Sequence, residues 1–504
     1  MRSGSALFAT LLSGLLYGLC FPTVSVQPLA WVALVPFLLA LRRASLAQAL
    51  GLGWVWTIAA AYTVGNWFAP SVSAYYRQPI LVGVAFFVGV SSFMAAPYYM
   101  AFAAAYRTLA RRSRTSTPVL VAAAWVASEL GRHLLAGNPW ALFGYSQMGL
   151  APMIQIADVT GVYGVSFALV AVNAALAELI ARRHAPAARS GALVAATVAL
   201  GVVAYGEYRI ATMSTAPHDA RAISVAMIQG NLDVGSQWRE ELYGRNLDTY
   251  LRLTSQALAE SRPQVVFWPE ATLTFFLENE PLYRKAIAHV LAPSRAQLVV
   301  GGPRSVGNPA RTYFNSIFLL APDGEILATY DKQRLVPFAE RFPFGSVALL
   351  RRHFARVREF TPGEPSAPLP TVVGPAGVTI CNEAMFPEIA AARVRAGATF
   401  LVDPANDTWL TPKFSAQQFD IVRLRTVEQR RYLVRASTSG PSAIVDPLGN
   451  VPVRTKFMTR AAIAGTIYPS TTVTLYCRIG DLFAWACTAA AIIATLRRAR
   501  ATVA

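Results

Sequence analysis

Charge is scarce in this chain, and acidic charge scarcest. Of 504 residues 14% are charged, with 27 Asp or Glu against 45 Lys or Arg. A water-soluble protein of this size carries a larger charged fraction, about a quarter, so a wholly soluble fold is excluded. Cysteine is equally sparse: Cys20, Cys381, Cys477 and Cys487 make no disulfide framework. Cys20 and Cys487 fall in apolar segments and Cys477 at the edge of one. That leaves Cys381 as the cysteine well inside the polar part, which favours a working thiol over a bridge. Among the five histidines, His289 and His353 show no ligand spacing. No metal and no dissociable cofactor is expected. Basic repeats interleaved with aromatics are missing too, so the net charge of +18 does not read as a nucleic-acid partner.

Long apolar runs are what the chain does have. Hydrophobic residues reach 54% and crowd into the first two hundred positions and the last twenty-five. Stretches long enough to span a bilayer occur at 6–21, 28–41, 46–68, 80–109, 119–135, 162–181, 192–210 and 479–496, about eight spans. Although the N-terminus superficially resembles a signal peptide, further spans follow at once, so a retained first helix is expected. Arg2, Arg42, Arg43, Arg107, Arg111, Arg112, Arg114, Arg182, Arg183, Arg189, Arg497, Arg498 and Arg500 all fall on one side if the spans alternate. The opposite loops hold Arg77 and Arg132 with His133. The positive-inside rule makes the arginine side cytoplasmic, with both termini there and the long insert facing the periplasm of a Gram-negative cell.

Two features of the apolar part exceed anchoring. Glu129 lies within the fifth span, which reads either as a paired or functional carboxylate or as a snorkelling, helix-pairing one. The loop Gly137-Asn138-Pro139-Trp140-Ala141-Leu142-Phe143-Gly144-Tyr145-Ser146-Gln147 suits either a re-entrant segment or an aromatic-belt loop.

From about Ala222 the pattern changes to short apolar strands alternating with amphipathic helices. Strands are expected at 223–229, 265–268, 297–300, 316–320, 326–330, 399–402, 433–438 and 442–445, with a helix over 239–260. Pro322-Asp323-Gly324 marks a hairpin, and Gly301-Gly302-Pro303 follows a strand end. Gly374 to Gly377 reads as a turn. It precedes a short β-branched run that ends at Cys381 and opens into a helix, where free N–H groups would stabilise a thiolate. The expected division is 1–210 for a bundle of seven helices, 211–478 for an α/β layered domain, and 479–504 for a last helix and basic tail.

Glu270, Lys332 and Cys381 each fall at a strand end. A cysteine acyl-enzyme needs a base for the thiol, which a partly buried carboxylate can supply. It also needs donors for the oxyanion, which an ammonium and nearby backbone N–H groups can supply. Spacing alone makes this a weak signal, and the words around the residues add to it. Phe267-Trp268-Pro269-Glu270-Ala271, Tyr330-Asp331-Lys332-Gln333-Arg334-Leu335-Val336-Pro337-Phe338 and Ile380-Cys381-Asn382-Glu383 resemble the three motifs of the nitrilase superfamily. With the apolar spans and Gly161-Val162-Tyr163-Gly164-Val165-Ser166-Phe167, the chain resembles the apolipoprotein N-acyltransferase family over nearly its whole length.

The resemblance implies an αββα sandwich in which Cys381 is the nucleophile, Glu270 the general base and Lys332 the oxyanion-stabilising residue. Glu340 and Glu383 match supporting carboxylates, and Trp238 and Trp409 match aromatics at the active-site entrance. The implied reaction moves a fatty acyl chain from a membrane phospholipid, through a thioester on Cys381, to the N-terminal amine of diacylglyceryl-cysteine in an apolipoprotein. Gln229-Gly230-Asn231 matches a structural first-strand motif. The chain departs from the family at Asn382, where an aromatic is usual, and at Ala339, where Gly is usual. It departs again over Leu410-Thr411-Pro412-Lys413-Phe414-Ser415-Ala416-Gln417-Gln418, where the family favours Phe-Gly and later Gly-Pro-x-Gln-His. These departures are expected to touch the entrance and spare the triad. Two rival readings are a membrane-tethered amidase acting on a small amide and a non-catalytic membrane scaffold.

Overall fold

The computed structural model describes residues 3–111, 114–214, 221–232, 240–307, 312–342, 359–408 and 411–503. Trp238 and Trp409 lie outside them. The chain divides into two compact units, one of Met1–Ala216 with Ile479–Ala504 and one of Pro217–Arg478.

The first unit is helical. Thr117–Ala136, Val162–Ala181, Pro186–Met213 and Leu482–Arg500 are long and apolar enough to cross a membrane. The pair Ile80–Met94 and Ala96–Leu109, bent by 49°, makes a fifth if it is one crossing. The expected count of about eight is therefore corrected to four or five among the described residues. Proline and chain length explain the difference. The stretch 28–41 breaks into a 3-10 turn, Gln27–Trp31, and a seven-residue helix, Val35–Leu41. That helix is about 10 Å long, a third of the hydrocarbon core. Ser3–Leu19 has 17 residues. Leu46–Gly65 has 20, but Gln48, Thr57, Thr63 and its glycines thin its apolar character.

Several arginines meet at one end of this unit. Arg42 Nη1 donates to Glu178 Oε1 at 2.5 Å, Arg107 Nε to the Ala44 carbonyl at 2.9 Å, and Arg182 Nη2 to the Arg111 carbonyl at 2.6 Å. Arg498 donates to the Leu109 carbonyl. Cations at helix C-termini satisfy carbonyls that lack an intrahelical partner. Glu129 does not snorkel. It is fully buried, and its Oε1 accepts from Trp125 Nε1 at 2.9 Å and from the Phe143 backbone N–H at 2.6 Å. Ser166 Oγ accepts from Gly144 N, Tyr17 donates to the Ala141 carbonyl, and Arg132 donates to the Trp140 carbonyl. The aromatic loop is thus packed inside the helical unit, with much of its backbone capped by side chains.

The second unit has two six-stranded sheets. One has the order β12-β1-β2-β3-β4-β5, from β1 (Ile223–Gln229), β2 (Val265–Phe267), β3 (Gln297–Val306), β4 (Thr312–Leu320), β5 (Ile326–Asp331) and β12 (Ala461–Ile467). The other has the order β11-β10-β9-β8-β7-β6, from β6 (Leu369–Thr371), β7 (Gly374–Val378), β8 (Phe400–Ala405), β9 (Leu433–Ser437), β10 (Ala443–Val445) and β11 (Val453–Arg454). Alternation along β1 explains the layers. Val225 and Met227 join Val299, Phe400 and Val434 in a core between the sheets. Ala226 and Ile228 face the other way, into a core with helices Glu240–Ser261 and Pro281–Leu291. Helices Pro387–Arg395 and Pro412–Gln429 cover the outer face of the second sheet. Strands buried on both faces read as continuous apolar runs, which is why most were visible in the sequence.

Two glycine-rich words were misjudged. Gly374 to Gly377 is strand β7, and the turn lies just before it, where Thr371 pairs with Gly374 across a two-residue connection. Gly301 and Gly302 lie within β3, which continues to Val306. In both places glycine serves close packing and the chain does not turn.

Candidate active site

The tip of β2 delivers Glu270. Trp268 is completely buried, and its Nε1 donates to Thr254 Oγ1 at 2.9 Å, fastening β2 to its covering helix. Beyond it the chain leaves the sheet across Gly301, whose N–H donates to the Pro269 carbonyl at 3.2 Å. A Cβ on Gly301 would lie 2.5 Å from Pro269 O and 2.7 Å from Glu270 Cα, so this approach requires glycine.

Lys332 follows β5 directly, its N–H donating to the Asn315 carbonyl at 2.8 Å. Its Nζ donates to Glu270 Oε1 and Glu340 Oε1, each at 2.9 Å. Glu340 is held by the Val336 N–H, which donates to its Oε2 at 2.7 Å. Burial by itself would lower the Lys332 pKa. Glu270, Glu340 and neighbouring Cys381 outweigh it and hold the ammonium well above its usual range. The remaining oxygen of Glu270, Oε2, accepts from the Asn406 N–H at 3.0 Å.

Cys381 opens a five-residue 3-10 turn, Cys381–Met385, beyond the end of β7. Its φ of 53° is left-handed, a conformation costing a non-glycine residue about 1 kcal/mol. Glu383 holds it there. Fully buried, this carboxylate accepts from the N–H groups of Gln333 (2.6 Å), Arg334 (2.9 Å) and Ile380 (2.8 Å) and from the Tyr330 hydroxyl (2.8 Å). It ties the lysine loop to the cysteine loop. Asn382, where the family has an aromatic, donates to the Arg334 carbonyl at 3.1 Å.

The expectation that helix N–H groups would lower the thiol's pKa is corrected. Burial pushes Cys381 well above the ordinary cysteine value, Glu270 adds to this, Lys332 opposes it, and Asp407 and Asp403 add further. The turn is also too short to carry a helix dipole of consequence. These influences favour the neutral thiol at Cys381, so an attack by its sulfur would call for a base.

A second buried network reaches the sulfur from behind. Arg435 on β9 donates to Asp403 on β8, to Asp407 Oδ2 at 3.1 Å and to Gln418 Oε1 at 2.9 Å. Gln418 Nε2 lies 3.8 Å from Cys381 Sγ. The segment that departs from the pattern of the resembled family thus reaches Cys381 itself, contrary to the expectation that the departures touch the entrance and spare the triad.

Glu270, Lys332 and Glu340 converge in one hydrogen-bonded group beside Cys381, and Glu383 braces the loops that hold them. Asn315, Asn406, Gln418, Asp403 and Arg435 were missed. A signal for the last two was present: an aspartate in Leu401-Val402-Asp403 and an arginine in Leu433-Val434-Arg435 interrupt two apolar strands with opposite charges. The strands pair with Asp403 opposite Arg435. Gln229, by contrast, spends its amide on the Lys456 and Thr459 carbonyls and on Ser442 and Thr455, as befits a structural residue.

Comparison with known proteins places both units. Residues 13–175 match the apolipoprotein N-acyltransferase N-terminal domain, and residues 224–475 match the carbon-nitrogen hydrolase family. An apolipoprotein N-acyltransferase from Geobacter metallireducens is 35% identical over 98% of this chain and 95% of its own length. Another from Bradyrhizobium diazoefficiens is 30% identical over 78% of this chain and 75% of its own. The solved structure of Nit3 from Saccharomyces cerevisiae, a member of branch 10 of the nitrilase superfamily, covers 50% of this chain and 93% of its own at 20% identity and a TM-score of 0.39. With both parts matched and a relative aligned almost end to end, the chain belongs to the apolipoprotein N-acyltransferase family, the multi-pass membrane acyltransferases of bacteria.

Proposed function

We propose that this chain N-acylates diacylated apolipoproteins by a two-step exchange on Cys381. The sulfur attacks an acyl ester of a membrane phospholipid while Glu270 takes the thiol proton. Lys332, with backbone N–H groups near the cysteine, stabilises the oxyanion. Collapse breaks the ester C–O bond, the proton passes from Glu270 to the departing lysophospholipid oxygen, and a thioester remains. The α-amine of diacylglyceryl-cysteine then attacks the thioester. Glu270 takes the amine proton, the C–S bond breaks, the proton passes from Glu270 to the departing Cys381 sulfur and an amide is released. Glu340 holds Lys332 in place and Glu383 holds the cysteine loop.

The observation that carries this reading is the Lys332 amine held between Glu270 and Glu340 beside the buried thiol of Cys381. Both substrates are lipid-anchored, which gives the apolar unit its purpose: confinement to one bilayer raises the effective concentration of ester and thiol. For orientation, arginines gathered at one end of the helical unit support a cytoplasmic face there. In this reading the polar unit faces the periplasm and both termini lie in the cytoplasm.

The test is incubation of the purified protein with phospholipid vesicles and mass spectrometry of the Cys381 peptide. An acyl adduct is expected on the native chain, absent in Cys381→Ala and discharged by a diacylglyceryl-cysteine peptide. Turnover of small amides without any adduct would replace the transferase with an amidase.

A further inference from the structure

Gln418 occupies an unusual place for an amide. It lies on the helix Pro412–Gln429, is completely buried, and its two ends meet opposite chemistry. Oε1 accepts from Arg435 Nη2 at 2.9 Å, and Nε2 faces Cys381 Sγ at 3.8 Å. A guanidinium only donates, so the carbonyl end must turn to Arg435 and the NH2 end to the sulfur. Arg435 is in turn fixed by Asp403 and Asp407, and Asp407 also accepts from Ser437 Oγ at 2.6 Å. The sulfur therefore has an aimed donor that cannot rotate away.

A network of this kind also serves as plain buried packing, although here Asp403 Oδ1, Asp407 Oδ1 and Arg435 Nε have no hydrogen-bond partner. What exceeds packing is the choice of the last contact. A neutral thiol is a poor acceptor and gains little from an amide N–H. A sulfur carrying negative charge gains far more. That charge arises twice in the exchange, when Glu270 takes the thiol proton and when the thiolate leaves the thioester.

We propose that Gln418 is a further residue of the acyl-transfer centre, its amide N–H donating to the Cys381 sulfur whenever that sulfur is anionic, with Arg435 as the positioning residue. The role rests on Cys381 being the nucleophile. The contact is long for the resting thiol and shortens as charge develops, as catalytic hydrogen bonds in unliganded sites do. Other charges facing the sulfur are Glu270, Asp403 and Asp407, which oppose ionisation, and Lys332 and Arg435, which favour it. Gln418 is the neutral donor among them.

The experiment follows alkylation of Cys381 by iodoacetamide against pH in the full-length protein, resolved to that cysteine by mass spectrometry. Gln418→Leu removes the donor. Gln418→Glu keeps the shape and the contact with Arg435 but presents an acceptor to the sulfur. Both are expected to move the profile to higher pH, the glutamate further, by about one unit, or roughly tenfold in rate at a fixed pH below the midpoint. Should Gln418→Leu lose its fold, Gln418→Glu decides alone. A profile unmoved in the folded variants, even with a lower melting temperature, reduces Gln418 to packing and overturns the proposal. Alkylation needs no lipid, so it is separable from the acyltransferase reading. A shifted profile without any acyl adduct on the native chain would sink that reading and leave the sulfur contact standing.

Discussion

Lys332 and Asn315 grip the same two oxygens, Oε1 of Glu270 and Oε1 of Glu340. The ammonium does so at 2.9 Å to each, and the Asn315 Nδ2 at 2.8 and 2.7 Å. One charged and one neutral donor thus keep two carboxylates together that would otherwise repel. Replacing Asn315 by Ala removes hydrogen bonds to charged groups worth about 1.5–3 kcal/mol each. Acyl-enzyme formation is expected to fall by roughly 10- to 100-fold, measured as the rate of adduct growth on Cys381. Asn315→Asp adds a third carboxylate and should cost more at neutral pH, with partial recovery as the pH is lowered.

Gly301 sets where Glu270 stands. Gly301→Ala forces a Cβ into Pro269 and Glu270, overpacking that typically costs about 1–3 kcal/mol. Acylation should drop by more than the loss in stability accounts for, because the displaced group is the proposed base. Gly244→Ala is the control: nothing lies within 4 Å of its Cβ, and it should leave acylation unchanged. Equal loss in both variants would refute the positional account.

Glu270 has opposed effects on Cys381. After burial itself, it is the largest influence holding the thiol's pKa up. Glu270→Gln should therefore shift the Cys381 alkylation profile to lower pH while abolishing acyl transfer, since the charge that suppresses the thiolate is also the proposed base for the attack. A parallel loss of alkylation and acylation would show that Glu270 merely shapes the pocket.

Asp403 makes stability depend on pH. Burial raises its carboxyl from 3.8 to about 7, with Asp407 adding and Arg435 opposing. Between those values the folded protein keeps a proton that the unfolded chain has released. The stability from this proton is complete below the lower value and is lost as the pH rises through the upper one. Urea midpoints should fall over that window, and Asp403→Asn should flatten the fall. An unchanged slope in the variant would place the dependence elsewhere.

Legibility in the sequence followed burial. The run 223–229 was readable because its neighbours on both faces are apolar, and Glu270, Lys332 and Cys381 were readable because family words surround them. Strand β12, Ala461–Ile467, was not. Its small, half-exposed residues carry no strand period, and it exists because it pairs antiparallel with β1 more than two hundred residues earlier. One glycine word was misread as a turn and the other as lying past a strand end, because sequence records glycine's freedom but not the neighbour that needs its missing Cβ. Asn315 stayed hidden inside Tyr313-Phe314-Asn315-Ser316. Its carboxylate partners are 45 and 25 residues away, and local pattern carries no trace of them.

Glu270, Asn315 and Lys332 lie on the strands of one sheet or just past their ends, and Cys381, Asn406 and Gln418 come from the strand-end loops and covering helix of the other, while Phe267 and Phe400 meet edge to face between the sheets. Neither half holds a working centre by itself. A chain still emerging, or one whose halves have not yet closed on each other, carries an unarmed sulfur and is harmless to the lipids around it. The proposed centre exists only where the two sheets are packed together, so acyl loading of Cys381 is expected to report a closed core.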